Sequence, residues 1–530
     1  MLPEEVAFSG PALVELAARI RQPVRVVGPV DGHRGMGLTT RSATGAPTVA
    51  VLPPLLPEDL GDRGFREDHR VAYAYVAGEM AGGIATTRMV KEMARADSLA
   101  FFGAGGLAPA RVAAAVDELA AELRDRPNWG VNLIHSPAER ATEDAVAGVL
   151  LERGVPIVSA SAFMELTPAV VRVAARGLDV DRQGRVRRRT RLFAKVSRPE
   201  VAAGFLEPAP GDVLAHLVAH GELSPREAEL AGRVPVAEAL TVEADSGGHT
   251  DNRPLTVLLP AMLALRDQMA GRHRYDRPVH VGAAGGLGTP GAVAGAFALG
   301  AAYVVTGSVN QAAVESGLSA EGKELLAAAG LADVAMAPAA DMFELGVKLQ
   351  VLKRGTMFAA RAGRLHQVYS EHASWEQVPA AMRQRIERDI LRDSFDRVWA
   401  ETRRFWLERE PAQAERGEHD PRHRMALVFR WYLGMSSRWA VHGEPGRRAD
   451  YQIWCGPAMG AFNQWTAGGF LADPEQRTVV QIALNLMEGA AVLTRAHQLR
   501  SLGVRLPPES FAFAARPLAP RPPLRQQVPA

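Results

Sequence analysis

One stretch of the sequence, residues 243–255, concentrates polar side chains of the kind that carry out chemistry. It reads EADSGGHTDNRPL and places Asp245, His249, Asp251, Asn252 and Arg253 beside the glycine pair Gly247 and Gly248. Histidine is the one side chain whose unperturbed pKa lies near neutrality, so His249 is the natural acid–base candidate. The alternative is a solvent-exposed loop histidine, and the crowding of polar groups after an apolar run favours the functional interpretation.

Two glycine-rich stretches, GAAGGLGTP (282–290) and VVTGSVNQ (304–311), follow consecutive apolar runs. They predict a phosphate site because Gly285, Gly286, Gly307 and Ser308 would leave backbone N–H groups uncovered beside the start of a helix. A site for one phosphate suits FMN better than a dinucleotide. The alternative is that these glycines only permit tight turns.

Three weaker signals lie near other apolar runs. In the stretch MAGG, Gly82 and Gly83 would let the backbone approach a flat ligand such as a flavin ring, although a plain turn explains the stretch equally well. Asn132 and Lys195 are polar residues inside apolar runs. Lys195 could neutralise the charge of a reduced flavin or a phosphate, or be a solvated lysine at the rim. We therefore take His249 and Lys195 as the catalytic candidates.

The elements that would position these residues alternate regularly between short apolar runs and amphipathic stretches, which is typical of βαβ units. An α/β fold of the (β/α)₈ TIM-barrel type accounts for eight such runs, and its functional residues lie at the carboxyl ends of the strands. A doubly wound sheet is the alternative, but it usually has fewer strands and carries its glycines after the first one. The strand candidates are residues 71–78, 98–105, 129–135, 155–161, 191–197, 239–244, 278–284 and 301–307.

The pattern also divides the chain into segments. Residues 1–65 form an N-terminal segment, and residues 66–359 with 451–505 form the barrel and its C-terminal extension. Amphipathic stretches rich in Arg, Glu and Trp predict an inserted helical subdomain over 360–450, which would cover the substrate. We expect the Pro-rich tail, residues 506–530, to be disordered.

Composition excludes several classes of protein. The 530 residues carry a net charge of +2, which argues against binding to nucleic acid. One cysteine, Cys455, allows neither an internal disulfide framework nor a cysteine-based metal cluster, and we expect it to be packed in the interior. The start of the chain does not resemble a signal peptide, and the most apolar stretch (291–306) is shorter than a bilayer span. These features predict a cytoplasmic protein that does not enter a membrane and binds no metal.

Taken together, the motifs MAGGIATT, WGVNL, AKVSR, EADSGGHTDNRPL, GAAGGLGTP and TGSVNQA resemble the nitronate monooxygenase and FMN-dependent enoyl-ACP reductase superfamily. Longer strings are similar to a narrower group, the PfaD-type trans-acting enoyl reductases of trans-acyltransferase polyketide synthases and polyunsaturated fatty acid synthases. These strings are EADSGGHTDNRPLTVLLP, APAADMFELGVKLQVLKRGT, FRWYLGMSSRWA and DYQIWCGPAMGAFNQW. The resemblance covers about residues 20–515.

The resemblance implies an FMN barrel that consumes NADPH and reduces enoyl thioesters carried on an acyl carrier protein. It implies that Met80, Ala81 and Gly82 lie against the flavin and that Asn132 and Lys195 touch its ring or ribityl chain. It further implies that the loop with Asp245, Gly247 and Gly248 borders the flavin. Gly285, Gly286, Gly307 and Ser308 would hold the phosphate. His249 matches the family's catalytic histidine, and His249 or a water it holds would protonate the α carbon. The family's usual Glu-Ala-Gly-Gly-His is replaced here by Asp245-Ser246-Gly247-Gly248-His249, which puts any contact by Asp245 in doubt.

Two alternative functions remain open, and so does the surface that would contact a partner protein. A nitronate monooxygenase-like oxidase would share the fold and the flavin but use oxygen, and a non-catalytic protein that docks a carrier protein would need no flavin. Carrier proteins are usually acidic, so Arg403, Arg404, Arg422 and Arg424, or the basic run at 181–191, could contact one. We favour a solvated surface for the run at 181–191, because it precedes the fifth strand on the face away from the expected site. The resemblance alone suggests a homodimer.

Overall fold

In the computed structural model, residues 6–29, 35–41, 46–137 and 139–520 are described. The strands are β1 (Val24–Val27), β2 (Gly37–Thr39), β3 (Thr48–Leu52), β4 (Tyr75–Ala77), β5 (Leu99–Phe102), β6 (Trp129–Ile134), β7 (Ile157–Ser161), β8 (Asp179–Val180), β9 (Val186–Arg187), β10 (Arg191–Val196), β11 (Ala239–Glu243), β12 (Gly248–His249), β13 (His280–Ala284), β14 (Val304–Thr306), β15 (Val334–Pro338) and β16 (Lys348–Leu352).

The α-helices in the same part of the chain are α1 (Gly10–Ala18), α2 (Arg63–His69), α3 (Thr87–Arg95), α4 (Pro109–Glu122), α5 (Arg140–Glu152), α6 (Pro168–Ala175), α7 (Pro199–Leu206), α8 (Gly211–Ala219), α9 (Pro225–Ala231), α10 (Leu255–His273), α11 (Pro290–Ala298), α12 (Ser308–Gln311), α13 (Ala320–Ala327), α14 (Phe358–Glu371), α15 (Ala380–Ile386), α16 (Phe395–Arg409), α17 (Pro411–His419), α18 (Pro421–His442), α19 (Ala458–Thr466) and α20 (Val479–Ser501).

Eight parallel strands form a closed barrel, which confirms the predicted fold class. In chain order they are β4, β5, β6, β7, β10, β11, β13 and β14, and β14 closes the barrel by pairing in parallel with β4. All eight strand candidates in the sequence correspond to these strands. The apolar runs lack a polar alternation because each strand is buried on both faces, by the barrel interior and by the surrounding helices.

The amino end of the barrel is plugged by aromatic side chains. Phe65, on the helix that precedes the first barrel strand, stacks on the ring of Tyr303 with centroids 4.4 Å apart. Phe193 from β10 packs edge-on against Phe65. A side chain at Gly282 would lie 2.4 Å from the Tyr303 ring, so the plug requires glycine there. The packing fills this end, and the opposite end, where the strands terminate, is the one that can hold a ligand.

Two small sheets flank the barrel. The order β2-β1-β3 describes an antiparallel sheet in the N-terminal segment. The second sheet has the order β12-β16-β15 and joins the polar loop after β11 to a hairpin that follows the eighth strand. Its register places His249 opposite Leu349 and Gly248 opposite Gln350. The sequence did not predict this hairpin, and it forms one wall of the site described below.

A group of helices, α14 to α18, is inserted between this hairpin and the C-terminal extension, as expected for an inserted helical subdomain. Its interior is organised around Asp450, whose carboxylate is fully buried. Arg361, Arg392 and Arg447 form ion pairs with that carboxylate, and the Tyr432 hydroxyl donates a hydrogen bond of 2.9 Å to it. A buried carboxylate is stable only with such partners. The predicted domain boundaries at residues 65, 359 and 450 stay predictions.

The expectation of a disordered tail is wrong for the part of the tail that the structure describes. Residues up to 520 run along α20, where the Asn485 amide donates to the carbonyl of Arg516 (2.9 Å) and the Gln481 amide donates to that of Leu518 (2.6 Å). The Trp465 indole donates to the carbonyl of Phe513 at 2.7 Å. This Pro-rich segment has no helix or strand hydrogen bonds of its own, and side chains of neighbouring helices hold it in place. Residues 521–530 lie outside the described chain. Within the described helices, none is long and apolar enough to cross a membrane.

Candidate active site

A cavity of about 490 Å³ opens at the carboxyl ends of the barrel strands. It is lined mainly by residues at or just beyond the carboxyl ends of every barrel strand except the second, β5. The structure therefore brings most of the sequence-predicted site residues into one space. Those that line the cavity are Met80, Ala81, Asn132, Lys195, Gly247, Gly248, His249, Gly285, Gly286, Gly307 and Ser308.

Two of the predicted site residues do not line the cavity. The backbone N–H of Gly82 donates to the carbonyl of Gly105 at 2.8 Å, so this glycine shapes the turn after β4 (φ +70°). Asp245 holds the polar loop against the neighbouring hairpin. Its carboxylate accepts hydrogen bonds from the amides of Gln350 (2.7 Å) and Asn252 (3.0 Å).

The glycine-rich loops after β13 and β14 present uncovered backbone to the cavity. Gly285 and Gly286 have φ values of +89° and +72°, which only glycine adopts readily. A Cβ atom at Gly286 or Gly307 would meet nothing within 4 Å, so open space adjoins both residues. Among the described residues, their backbone N–H groups have no acceptor. This arrangement offers donors to an anionic group.

The C-terminal extension closes over these loops. The backbone N–H of Gly456 donates to the Ser308 hydroxyl at 3.1 Å, which leaves the hydroxyl hydrogen of Ser308 free to be donated. A side chain at Gly247 would lie 2.7 Å from the backbone nitrogen of Cys455, so the polar loop and the extension touch backbone to backbone. Cys455 is fully buried, as predicted, and burial raises the pKa of its thiol to about 12. It is a packing residue, inert at neutral pH.

Lys195 lies between two carboxylates. Its ammonium nitrogen is 3.3 Å from Glu79 Oε1, two residues beyond β4, and 3.3 Å from Glu243 Oε1 at the end of β11. Burial alone would lower the pKa of Lys195, but the two carboxylates outweigh it and the net effect is a raised pKa. Lys195 is therefore a fixed positive charge at neutral pH and cannot serve as a proton acceptor.

His249 pairs with an acid that the sequence did not reveal. Its Nε2 atom is 3.1 Å from Oδ1 of Asp341, which follows β15. Burial opposes the protonated imidazole, but the hydrogen bond and charge of Asp341 outweigh it, so the pKa of His249 is raised. The pKa of Asp341 is lowered by the same hydrogen bond against its own burial. With Nε2–H donated to the carboxylate, Nδ1 is the nitrogen left to exchange a proton in the cavity.

Asn132 is held in place by three neighbours. Its Oδ1 accepts from the backbone N–H of Gly105 at 3.1 Å, and its Nδ2 donates to the Ser161 hydroxyl at 2.6 Å and, at 3.4 Å, to the carbonyl of Ser159. The side chain is buried. It therefore ties three adjacent strand ends together at the cavity floor.

The outer part of the cavity is apolar and contains several methionines. The residues that line it are Phe163, Met164, Val201, Met336, Met342 and Val347. Methionine is unbranched and polarizable and adapts to ligands of different shape. Met164 is 52% exposed and marks the rim. This part of the cavity suits a flexible aliphatic group.

The site residues that were not predicted from the sequence were missed for one reason: their partners are distant in the sequence. Glu243 ends β11 and Glu79 lies two residues beyond β4, yet nothing in one sequence shows that both contact the same lysine. Asp341 stands 92 positions from His249, in a hairpin that the strand alternation did not reveal. Among the described residues, no group of three or more His, Cys, Asp or Glu could hold a metal ion.

Of the four arginines predicted to contact a carrier protein, three have partners within the chain. Arg403 pairs with Glu418 at 2.6 Å, while Arg422 and Arg424 lie over the rings of Tyr369 and Trp399. The run at 181–191 contains β9, the second strand of the hairpin β8–β9, and leads into the amino end of β10, so it lies away from the cavity.

Comparison with known proteins gives two kinds of similarity. A family model described as "Acyl-carrier-protein S-malonyltransferase, inserted helical domain" matches residues 372–451, which contain α15 to α18. The chain is 35% identical to the enoyl reductase domain of MlnA from the macrolactin biosynthesis cluster of Bacillus amyloliquefaciens. That crystal structure superposes with a TM-score of 0.80, over 84% of this chain and 99% of the domain.

Two curated proteins are similar over most of this chain. One is a polyunsaturated fatty acid synthase component of Thraustochytrium sp., 45% identical over 478 residues, which are 88% of this chain and 32% of that protein. Polyketide biosynthesis protein PksE of Bacillus subtilis is 43% identical over 443 residues, which are 84% of this chain and 57% of PksE. The chain thus spans about a third of the first relative and somewhat more than half of the second.

Proposed function

This chain belongs to the PfaD-type enoyl reductase family, and we propose that it reduces enoyl thioesters. The substrate is an enoyl group held on an acyl carrier protein, and the reduction uses FMN and NADPH. It acts in trans, in the biosynthesis of a polyketide or a polyunsaturated fatty acid. The similarity to a component of a fatty acid synthase and to a polyketide biosynthesis protein supports this substrate class.

The residues that line the cavity fit FMN. The N–H groups of Gly286 and Gly307 and the hydroxyl hydrogen of Ser308 are donors for one phosphate, and space lies open beside both glycines. The Oε1 atom of Gln311, which also lines the cavity, is buried and has no partner among the described residues. A buried acceptor of this kind calls for a donor such as a ribityl hydroxyl. Met80 and Asn132 would border the ring.

FMN held by these residues would supply hydride transfer, from the reduced nicotinamide cofactor to the β carbon of the enoyl thioester. The protein's own part is position, charge and a proton. Lys195 holds a constant positive charge at the cavity wall, balanced by Glu79 and Glu243. Asp341 orients His249 so that Nδ1 carries the proton for the α carbon. The methionine-lined outer cavity binds the acyl chain and excludes water.

The observation that carries this proposal is that one cavity joins the glycine loops to the His249–Asp341 pair. The direct test is to incubate the FMN-loaded protein with NADPH and a crotonyl thioester on a carrier protein, without oxygen, and to analyse the acyl group by mass spectrometry. A saturated butyryl group is expected. Unchanged crotonyl thioester together with oxidation of nitroalkanes in air would instead favour the nitronate monooxygenase-like oxidase. A protein that takes up no FMN would be left as a docking protein without catalytic activity.

A further inference from the structure

Three lysine and arginine side chains line the cavity, and they differ in how their charge is balanced. Lys195 has the two carboxylates described above. The guanidinium of Arg198 binds Asp251 through two hydrogen bonds of 2.9 and 2.8 Å. Lys348 lines the same cavity, and its ammonium forms no hydrogen bond or ion pair with any described residue. Of these three side chains, Lys348 is therefore the one left for a ligand.

The hairpin places Lys348 near the acid–base pair and away from the glycine loops. Lys348 begins β16, and the next residue, Leu349, pairs with His249. At the other end of the strand, Val351 bridges Trp454, two residues before Gly456, which binds Ser308. Three residues of strand, about 10 Å, separate Lys348 from Val351. A phosphate held by the glycine loops is thus a different group from one held by Lys348.

We propose that Lys348 binds a phosphate group of a ligand that enters the cavity alongside the flavin. The inference rests on the proposed function, because that function requires two such ligands, a reduced nicotinamide dinucleotide and a thioester on a phosphopantetheine arm. An ammonium group with three donors is well suited to a phosphate oxygen. The nearness of Lys348 to His249 favours the dinucleotide. One ribose separates the reacting nicotinamide from the pyrophosphate, whereas the whole pantetheine separates the thioester from its phosphodiester.

The test compares Lys348→Gln with Lys353→Gln in the FMN-loaded protein. Lys353 is an exposed lysine just beyond the end of the same strand and does not line the cavity. Isothermal titration calorimetry with NADP⁺ measures binding without turnover. Loss of one charge-assisted contact should weaken NADP⁺ binding by Lys348→Gln about tenfold, the equivalent of about 1.4 kcal/mol. Lys353→Gln should bind as the wild type does, and Lys348→Arg should retain most of the affinity.

A second measurement separates the two sources of phosphate. The KM of crotonyl phosphopantetheine is compared with that of crotonyl pantetheine, which differs only by lacking the phosphate. If Lys348→Gln raises the first KM alone and leaves NADP⁺ binding intact, Lys348 binds the phosphate of the substrate arm. Unchanged NADP⁺ affinity and unchanged KM for both thioesters overturn the phosphate site. The enzyme assignment survives that outcome as long as the wild type still reduces the thioesters, so the two proposals fail separately.

Discussion

His249 Nε2 lies 3.1 Å from Asp341 Oδ1, although 92 positions separate the two residues in the sequence. The polar loop after β11 supplies the histidine, and the hairpin β15–β16 supplies the acid. The pairing of β12 with β16 brings the two together. The groups that act on the His249 charge from neighbouring elements are Asp341, Glu243 and Lys195, and the carboxylates prevail.

Replacing Asp341 should change the pH dependence of turnover. Asp341 raises the pKa of His249, so Asp341→Asn lowers it. A general acid works in its protonated form, and activity is lost as pH rises through its pKa. The alkaline limb of kcat/KM should therefore move to lower pH in Asp341→Asn. It should not move in Glu344→Gln, whose carboxylate lies in the same loop but pairs with Arg430. If the alkaline limb of kcat/KM does not move in Asp341→Asn, the His249–Asp341 pair takes no part in proton transfer.

A side chain at Gly307 should impair binding of FMN without unfolding the protein. The φ of Gly307 is −124°, which other residues adopt, and a Cβ there meets nothing within 4 Å. Valine would project into the space proposed for the phosphate. Gly307→Val should therefore show a normal thermal transition in the apo protein but a reduced ratio of absorbance at the flavin peak to that at the protein peak. Gly295→Val, in open space on α11, is the matched control and should load fully. Full loading of both variants would place the phosphate elsewhere.

The two carboxylates around Lys195 should tune the flavin. Reduced flavin carries negative charge, which an uncompensated cation stabilises. Glu243→Gln removes one of the two negative charges that balance Lys195. It should raise the reduction potential of the flavin by about 30 mV, the equivalent of about 1.4 kcal/mol for a two-electron couple. Glu238→Gln alters a carboxylate just before the other end of β11 and should leave the potential unchanged. Equal potentials in the wild type and Glu243→Gln would show that Lys195 lies too far from the ring to matter.

The buried carboxylate of Asp450 should dominate the stability of the inserted helices. Three arginines and a tyrosine hydroxyl depend on it. Removing one partner from a buried ion cluster typically costs about 3–5 kcal/mol, so Asp450→Asn should lower the free energy of unfolding by about that amount in urea. Asp389→Asn breaks an exposed pair with Arg388 and should change the unfolding midpoint little. Similar midpoints for the two variants would contradict a structural role for Asp450.

The barrel was predictable from the sequence because its strands, buried on both faces, appear as apolar runs separated by helical stretches. His249 and the glycine loops were predictable because polar and glycine residues follow such runs directly. Asp341 and Lys348 were not predictable, because they belong to the hairpin β15–β16. Strand β15 is only partly buried, so its hydrophobic pattern is weak. The order of the tail was also hidden, because it depends on amides of α20 distant in sequence.

The most direct test of the proposed function is the visible spectrum of the purified protein under anaerobic conditions. Flavin absorbance should bleach on addition of NADPH and return when a crotonyl thioester on a carrier protein is added, with formation of the butyryl thioester. A colourless protein that takes up no added FMN would contradict the flavin-dependent enzyme. Absorbance that returns with oxygen but never with the thioester would contradict the enoyl reductase.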